Sequence, residues 1–336
     1  MQKNLVSYCI VAFLTISLVS CDSQDDAAND AKVQTENIDS LVMMYPDSAD
    51  ILLRHGKHYY AQFRFDMATP SASKAFRLDS TNFEARLLYA NVLNNKPDRT
   101  LNEILIARRH FEVIKEKNPK NLEALVGIAS TYTVTQDYDQ SFKYINEALR
   151  IDPRYRDAYI MKGTNYLQLN KIELAKSSWE TAVQQDPEFW FAYTNLGNLY
   201  LSEGNPICIE YYRTANQIKE NDVDMMYNLA YAYQQFNQPD ESAQLYRDMF
   251  KVDTTFAMAK FQQGWIKQEI KNDLDSAMIF YREAILIEPR FIEAWHNLGL
   301  CHERQGNKTQ ALKAYAKALK YNPDYTLSRE AADALK

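Results

Sequence analysis

The histidines of this sequence come closest to forming a chemical site. His55 and His58 are three residues apart, so a helix would place both imidazoles on one face, where two of them could ligate a metal ion. A metal site needs further ligands, and no third candidate lies close to this pair in the sequence. The alternative, which we favour, is that both histidines belong to an ordinary polar helix face.

Short motifs of the common catalytic classes do not occur in the sequence. It lacks HExxH, GxSxG, a phosphate-binding loop and CxxC, which would indicate a zinc hydrolase, a serine hydrolase, a nucleotide-binding enzyme and a redox centre. The carboxylates are numerous but scattered, as they are on solvated helix faces. We therefore expect a protein that is not an enzyme and that has neither a metal site nor a cofactor.

The composition favours an all-helical protein that does not bind nucleic acid. With only 8 glycines and 10 prolines in 336 residues, the chain has too few turn formers for an all-β fold. Runs rich in Ala, Leu, Glu, Lys and Gln favour helices. A formal net charge of −6 disfavours nucleic acid as a partner, because that ligand attracts a basic face.

The first 21 residues have the features of an export signal. Lys3 precedes an apolar run over residues 5–18, which is followed by Val19, Ser20 and Cys21. This segment resembles a bacterial lipoprotein signal, which implies that residues 1–20 are removed and that Cys21 is acylated, for example with palmitate. The alternative is an ordinary secretory signal with an incidental Cys21. The resemblance implies a lipid-anchored protein of the bacterial cell envelope, with the outer membrane as the expected site and its face left open.

Residues 21–33 are polar and acidic and lack large apolar side chains, so we expect a solvated tether. Residues 23–26 resemble the acidic surface-export signals of Bacteroidetes lipoproteins, and the alternative is a simple spacer. Removal of residues 1–20 and acylation of Cys21 would leave Cys208 and Cys301 as the free thiols of the chain. Both lie in predicted helices, where we expect them to be small core residues.

A pattern that recurs at intervals of about 34 residues occupies most of the remaining chain. A small residue marks each unit, an aromatic residue follows about half a unit later in most units, and five units end in proline. Stacked helical hairpins explain the pattern, because a small residue lets the second helix approach and proline ends the unit. The small residues are Gly56, Ala90, Ala129, Gly163, Gly197, Ala230, Gly264 and Gly299. The aromatic residues are Phe111, Tyr144, Trp179, Tyr212, Tyr246, Tyr281 and Tyr315.

This pattern resembles the tetratricopeptide repeat over residues 49–325. The resemblance implies an all-α, right-handed solenoid of about eight helix-turn-helix repeats. Residues 34–48 are predicted to form an N-terminal capping helix, and residues 326–336 a C-terminal one. The unit around Gly264 matches the pattern least well. Lys260, Gln263 and Lys267 occupy positions where apolar residues are expected, and its turn has one residue more than the pattern. Its helical phase could therefore be shifted by one residue.

The resemblance also implies a concave groove, lined by positions two, five, six, nine and twelve of the first helices. Its aromatic members would suit a binding hot spot, and its asparagines could pair with the backbone of an extended peptide. The alternatives are that asparagine is common at this repeat position and that the rings pack within the fold. The candidate groove residues are Asn195, Asn198, Tyr227, Asn228, Tyr231, Phe261, Gln262, Trp265, His296 and Asn297.

The function that follows is that of a lipid-anchored envelope scaffold, which binds a protein or peptide partner in its groove. Position five carries no lysine in any unit, which disfavours a C-terminal carboxylate as the ligand. The alternative function is a glycan- or nutrient-related accessory lipoprotein whose groove aromatics stack on sugar rings.

Overall fold

The computed structural model describes residues 37–336. The predicted signal peptide, Cys21, the acidic tether and the first three residues of the predicted N-terminal cap lie outside the described residues. The described residues form two compact units that divide between Asp186 and Pro187. None of the helices in this part of the chain is both long and apolar enough to cross a bilayer.

The first unit consists of a short helix followed by four helical hairpins. Helix α1 forms the predicted N-terminal cap and is shorter than predicted, because Asn37 caps it and Tyr45 ends it. The helices are α1 (Ile38–Met44), α2 (Ala49–Ala61), α3 (Phe65–Leu78), α4 (Phe83–Asn95), α5 (Leu101–Lys117), α6 (Leu122–Val134), α7 (Tyr138–Ile151), α8 (Arg156–Gln168) and α9 (Ile172–Gln185).

The second unit consists of four hairpins followed by the predicted C-terminal cap. The first helix of its third hairpin continues from an α-helix into a π-helix, Ile266–Ile270. The α-helices are α10 (Trp190–Ser202), α11 (Cys208–Ile218), α12 (Val223–Gln235), α13 (Pro239–Val252), α14 (Ala257–Trp265), α15 (Leu274–Ile287), α16 (Ile292–Arg304), α17 (Lys308–Tyr321) and α18 (Thr326–Ala334).

The eight hairpins in residues 49–321 confirm the all-α repeat architecture predicted from the sequence. Seven of them turn through one residue with a positive φ, including Asn170 at 56°, Gly204 at 68° and Gly306 at 78°. Glycine and asparagine adopt this left-handed conformation at the least cost, which explains why one of them occupies five of the seven turns. The hairpin of α4 and α5 lacks such a residue and has a longer connection, over residues 96–100.

In four hairpins a glycine lies against the aromatic residue that the pattern pairs with it. A Cβ added to Gly197 would lie 2.7 Å from Tyr212 Cε1, and one added to Gly264 would lie 2.7 Å from Tyr281 Cε1. Separations below 3.0 Å force one of the groups to move. Glycine at these positions therefore lets the paired helices approach, and the predicted phase is correct as far as Gly264.

One aromatic assignment was wrong. In the hairpin of α6 and α7 the buried position belongs to Ile145, which is fully buried, rather than to Tyr144. Tyr144 lies one residue away on the flank of α7 and is half-buried. Its ring stacks on Tyr132 with centroids 5.8 Å apart, and Lys115 Nζ lies 4.6 Å from its centre. An aromatic beside the expected position was mistaken for the core residue, which in this repeat is aliphatic.

The extra residue of the Gly264 repeat lies in the helix rather than in the turn. The π-helix Ile266–Ile270 accommodates the extra residue after Gly264, and for this reason the turn to α15 seemed one residue too long. Gln268 in the π-helix is 2% exposed, and its Oε1 accepts hydrogen bonds from Tyr281 OH at 2.8 Å and from Cys301 Sγ at 3.2 Å.

Cys208 and Cys301 are both buried, and burial raises the pKa of their thiols to about 11 and about 12.

Candidate partner-binding face

The ten candidate groove residues all lie on the first helices of the second unit. Asn195 and Asn198 are on α10. Tyr227, Asn228 and Tyr231 are on α12, Phe261, Gln262 and Trp265 are on α14, and His296 and Asn297 are on α16. The structure places them in successive repeats, as predicted, but it separates them into residues that face outward and residues that lie between repeats.

Position five of each first helix contacts the next repeat rather than an open groove. This holds in all four hairpins of the second unit, and in the last one the capping helix α18 supplies the contact. The contacts are Thr194 Oγ1 to Met225 Sδ at 3.3 Å, Tyr227 to Phe256 with ring centroids 6.1 Å apart, Phe261 to Phe291 at 5.0 Å between centroids, and His296 Nδ1 to Ser328 Oγ at 3.0 Å.

His296 and Gln262 are buried, so the prediction that they line an open groove was wrong. His296 lies between the rings of Tyr315 and Tyr325, with centroids 5.6 and 5.5 Å away, and burial lowers its pKa to about 4. Gln262 donates a hydrogen bond from Nε2 to Tyr227 OH at 3.2 Å. Both side chains join neighbouring first helices, because stacking of the repeats covers the positions that a single hairpin would expose.

Tyr227 and Tyr231 form a stacked pair on α12. Their ring planes are 11° apart and their centroids are separated by 6.2 Å, and both side chains are half-buried. Tyr227 also packs against Tyr246 and belongs partly to the core of the unit. Tyr231 stands at position nine, one turn further along, and is the ring of this pair that we expect a partner to reach.

Phe261 and Trp265 pack more closely into the fold than the sequence suggested. Phe261 has Tyr281 5.6 Å away on one side and Phe291 on the other. Trp265 packs against the core cluster that contains Tyr246 and Ile266. Both side chains are half-buried, so they support the α12 face and offer only part of their surface to a ligand.

Two of the asparagines use their amide donors within their own helices. Asn195 Nδ2 donates to Phe191 O at 2.8 Å, and Asn297 Nδ2 donates to Glu293 O at 3.0 Å. Asn198 is exposed, and its Oδ1 accepts a hydrogen bond from Tyr212 OH at 2.6 Å. Asn228 is half-buried. Each intrahelical bond uses one of the two N–H donors of its amide, so Asn195 and Asn297 have fewer donors for a peptide backbone than a ladder of unpaired asparagines would have.

The first unit contains a polar cleft that the sequence reasoning missed. The cleft is small, and its lining includes Asn91, Asn94 and Asn95 of α4, Glu123 of α6 and Asp157 of α8. The groove positions of the repeat also supply this lining: Asn91 is at position nine, Asn94 at position twelve, and Glu123 and Asp157 at position two. Applying the groove positions to every repeat would have identified them.

The structure gives His55 and His58 different surroundings. His55 is buried between α2 and α3, where Ser71 Oγ lies 2.9 Å from Nδ1 and Asp39 Oδ1 of α1 lies 3.1 Å from Nε2. His58 is exposed and is hydrogen-bonded to Gln62. Among residues 37–336, no three His, Cys, Asp or Glu side chains are grouped as metal ligands would be.

The Ser71, His55 and Asp39 chain has the residue types of a hydrolase triad, but its position fits a structural role. Nucleophilic catalysis needs a hydroxyl that a substrate can reach, and Ser71 is 5% exposed inside a helical hairpin. Asp39 also accepts a hydrogen bond from Tyr59 OH at 2.7 Å, which lowers the pKa of the carboxyl group together with the nearby His55. These contacts attach the capping helix α1 to the first hairpin.

Comparisons with known proteins agree with the helical hairpins. Tetratricopeptide repeat models match residues 122–155, 160–206 and 292–325. Over these three segments the chain is similar to tetratricopeptide repeats, which generally mediate protein–protein interactions.

Three similar proteins illustrate how widely this architecture is used. Anaphase-promoting complex subunit 3 of Schizosaccharomyces pombe is 23% identical over 60% of this chain, and the BBSome complex member BBS4 homolog of Drosophila melanogaster is 22% identical over 69% of it. The chain spans 30% and 51% of their respective lengths. The crystal structure of the C-terminal part of a tetratricopeptide repeat-containing protein from Cytophaga hutchinsonii has a TM-score of 0.58 at 17% identity, over 73% of this chain and 98% of that one, and it supports the fold.

Proposed function

We propose that this protein is an assembly scaffold that binds a polypeptide partner on the first-helix face of its second unit. The observation that carries the proposal is the stacked pair of Tyr227 and Tyr231, with the exposed Asn198 at the position of Tyr231 in the preceding repeat. Half-buried aromatic rings next to polar groups are typical of binding hot spots, because they give a large contact area at a low cost in side-chain entropy. Two similar proteins are named as members of multiprotein complexes, which is consistent with a scaffold.

Replacing Tyr231 with alanine should weaken binding of a peptide partner at least tenfold, which corresponds to about 1.4 kcal/mol. Peptides can be selected from a random displayed library on the full-length protein, and their dissociation constants measured by isothermal calorimetry. Tyr231→Ala should leave the fold intact, because Tyr231 is half-buried and Tyr227 keeps its contacts with Tyr246 and Phe256.

The matched control is Ile279→Ala, which removes an apolar side chain that is 54% exposed on the second helix α15. It should change the affinity less than twofold. Equal losses for both variants would contradict the proposed face, and so would selection of no peptide at all. A glycan array probed with the same protein tests the alternative function: binding of sugars that is lost in Tyr231→Ala would favour the accessory-lipoprotein role.

We also propose that acylation of Cys21 anchors the protein to an envelope membrane. The support is the sequence pattern of an apolar run over residues 5–18 that ends at Ser20 and Cys21. Several acyl chains on one residue would give durable attachment, whereas a single chain binds a membrane only marginally. The anchor would hold the repeat array close to the membrane and concentrate its partner there.

Cys21→Ala should abolish incorporation of radiolabelled palmitate and release the protein from the membrane fraction of a bacterial host. Cys208→Ala is the matched control, because that thiol is buried and should neither be acylated nor affect membrane attachment. A wild-type chain that takes up no label, or a Cys21→Ala chain that remains membrane-bound, would show that the anchor is not at Cys21.

A further inference from the structure

The polar cleft of the first unit contains a buried hydrogen-bond acceptor that no group of residues 37–336 satisfies. Asn94 is 3% exposed, lines the cleft, and has no partner in this part of the chain for its Oδ1. Its Nδ2 donates to Ser130 Oγ at 2.8 Å and to Asn95 Oδ1 at 3.2 Å, while Asn95 Nδ2 in turn donates to Tyr60 OH. This chain of hydrogen bonds fixes the orientation of the amide and leaves its oxygen for a donor from outside the network.

The charges around the cleft favour a cation. Glu123 lines it, with Oε1 accepting a hydrogen bond from Asn91 Nδ2 at 2.7 Å. Asp157 also lines it and is 2% exposed, and Arg156 neutralises this carboxylate from one side with contacts of 2.7 and 2.8 Å to Oδ1. Burial raises the pKa of Tyr60 on the adjoining α2, and the charges of Glu123 and Asp157 add to this shift, whereas the hydrogen bond from Asn95 opposes it.

The dimensions of the cleft limit the ligand to a small group. It leaves about 10 Å³ for the centre of a water-sized group, which is room for one such group. An ammonium group has about this size and carries three donors, whereas a guanidinium group is larger and planar. The opening lies on the first-helix face of the unit, where a peptide that follows the repeats could insert a side chain.

We propose that this cleft binds the ammonium group of a lysine side chain from a polypeptide, with Asn94 Oδ1 and the Glu123 carboxylate as its acceptors. The inference rests on the proposed function in that the ligand is a polypeptide, but it concerns a different unit of the chain and a different set of residues. An ammonium group in the cleft would donate a hydrogen bond to Asn94 Oδ1, and it would also offset the excess negative charge.

The test uses the full-length protein and the acetylated, amidated pentapeptide Ala-Ala-Lys-Ala-Ala. Titration is followed by NMR of the asparagine side-chain amides, with glutamine or arginine in place of lysine in two comparison peptides. We expect the lysine peptide to shift the Asn91 and Asn94 signals saturably, and the glutamine and arginine peptides to bind at least tenfold more weakly. Similar shifts with all three peptides, or no shift with the lysine peptide, would overturn the proposal and indicate a cleft that holds water only.

Substitutions in and outside the cleft test whether the lysine peptide binds at the cleft. Glu123→Gln keeps the shape of the side chain and should weaken binding of the lysine peptide at least tenfold. Asn94→Leu should have the same effect if it folds. Asn146→Leu, on the exposed side of α7, is the matched control and should have no effect. Unchanged binding to Glu123→Gln would contradict the proposal.

The test of the cleft and the test of the second-unit face can fail independently of each other. Tyr231→Ala should leave the shifts caused by the lysine peptide unchanged, since Tyr231 belongs to the second unit. If library-selected peptides depend on Tyr231 while the lysine peptide fails to bind, only the cleft is refuted. If the lysine peptide binds and Tyr231→Ala has no effect on the selected peptides, the second-unit face is refuted instead.

Discussion

Trp179→Ala should destabilise the first unit by about 3–5 kcal/mol, which is the usual cost of truncating a buried tryptophan. The Trp179 side chain is 2% exposed, and its Nε1 donates a hydrogen bond to Ile160 O at 3.2 Å. Its ring lies directly over Gly163, where an added Cβ would be 2.5 Å from Cδ1. Alanine at position 179 would therefore leave a cavity between α8 and α9.

Gly163→Leu tests the same contact from the other side, because its side chain needs the space that the ring occupies. Overpacking of this kind costs about 1–3 kcal/mol. In the double variant, the leucine side chain introduced by Gly163→Leu would fill part of the space left by Trp179. The combined loss should therefore be smaller than the sum of the two single losses by at least about 1 kcal/mol. The control Gln168→Leu, at the exposed end of α8, should not interact with Trp179→Ala.

Native-state hydrogen exchange is the suitable measurement for both variants, since repeat arrays often unfold in parts. Amides of α8 and α9 should lose protection first, and those of α16 and α17 should change little. Strict additivity of the two substitutions, or uniform loss of protection in both units, would contradict the proposed contact between Gly163 and Trp179.

Arg156→Met should also destabilise the first unit by about 3–5 kcal/mol, because it leaves a buried carboxylate without its partner. The guanidinium of Arg156 contacts Asp157 Oδ1 at 2.7 Å and also contacts Asp186 Oδ2. The Asp157 side chain is only 3% exposed, whereas that of Asp186 is 33% exposed and can be hydrated. Arg154→Met, at an exposed arginine in the preceding turn, is the matched control and should be nearly neutral.

The destabilisation of Arg156→Met should diminish as the pH is lowered. Burial raises the pKa of Asp157 above its usual range even with Arg156 present, and removal of Arg156 should raise it further. A carboxyl group whose pKa is higher in the folded state favours folding below its unfolded pKa and loses that contribution as the pH rises through the folded pKa. The difference in unfolding free energy between the variant and the wild type should therefore be largest at neutral pH and smaller in acid.

Replacing both residues, with Arg156→Met and Asp157→Leu, should recover much of the lost stability at neutral pH. Chemical denaturation measured by circular dichroism at several pH values gives the required free energies. A deficit that is independent of pH, or a double variant as unstable as Arg156→Met, would show that the buried charge of Asp157 is not the cause.

The sequence was sufficient to predict the repeat architecture because several constraints coincide in each unit. A small residue and a large buried residue must occupy fixed positions for a hairpin to pack, and this explains why Gly197 and Tyr212 were assigned correctly. The prediction failed where different residue types satisfy the same constraint. Ile145 fills a core position that other repeats fill with an aromatic, and the π-helix after Gly264 absorbs an extra residue that could equally have lengthened a turn.

The candidate site was harder to predict because exposure depends on contacts between repeats. Position five seemed to face a groove when a single hairpin was considered, yet His296 is covered by α18 and Phe261 by Phe291. Such burial follows from how one hairpin packs on the next, which the pattern within a repeat does not specify. The unpaired oxygen of Asn94 likewise depends on where Ser130 and Asn95 point, and only coordinates reveal it.

Photo-crosslinking tests the central claim most directly, namely that a polypeptide binds the first-helix face of the second unit. A benzophenone amino acid is placed at Tyr231 in one full-length protein and at Ile279 in another, and each is irradiated with the same library-selected peptide. We predict a crosslinked product at position 231, mapped by mass spectrometry, and none at position 279. Equal crosslinking at both positions, or crosslinking at position 279 alone, would contradict the claim.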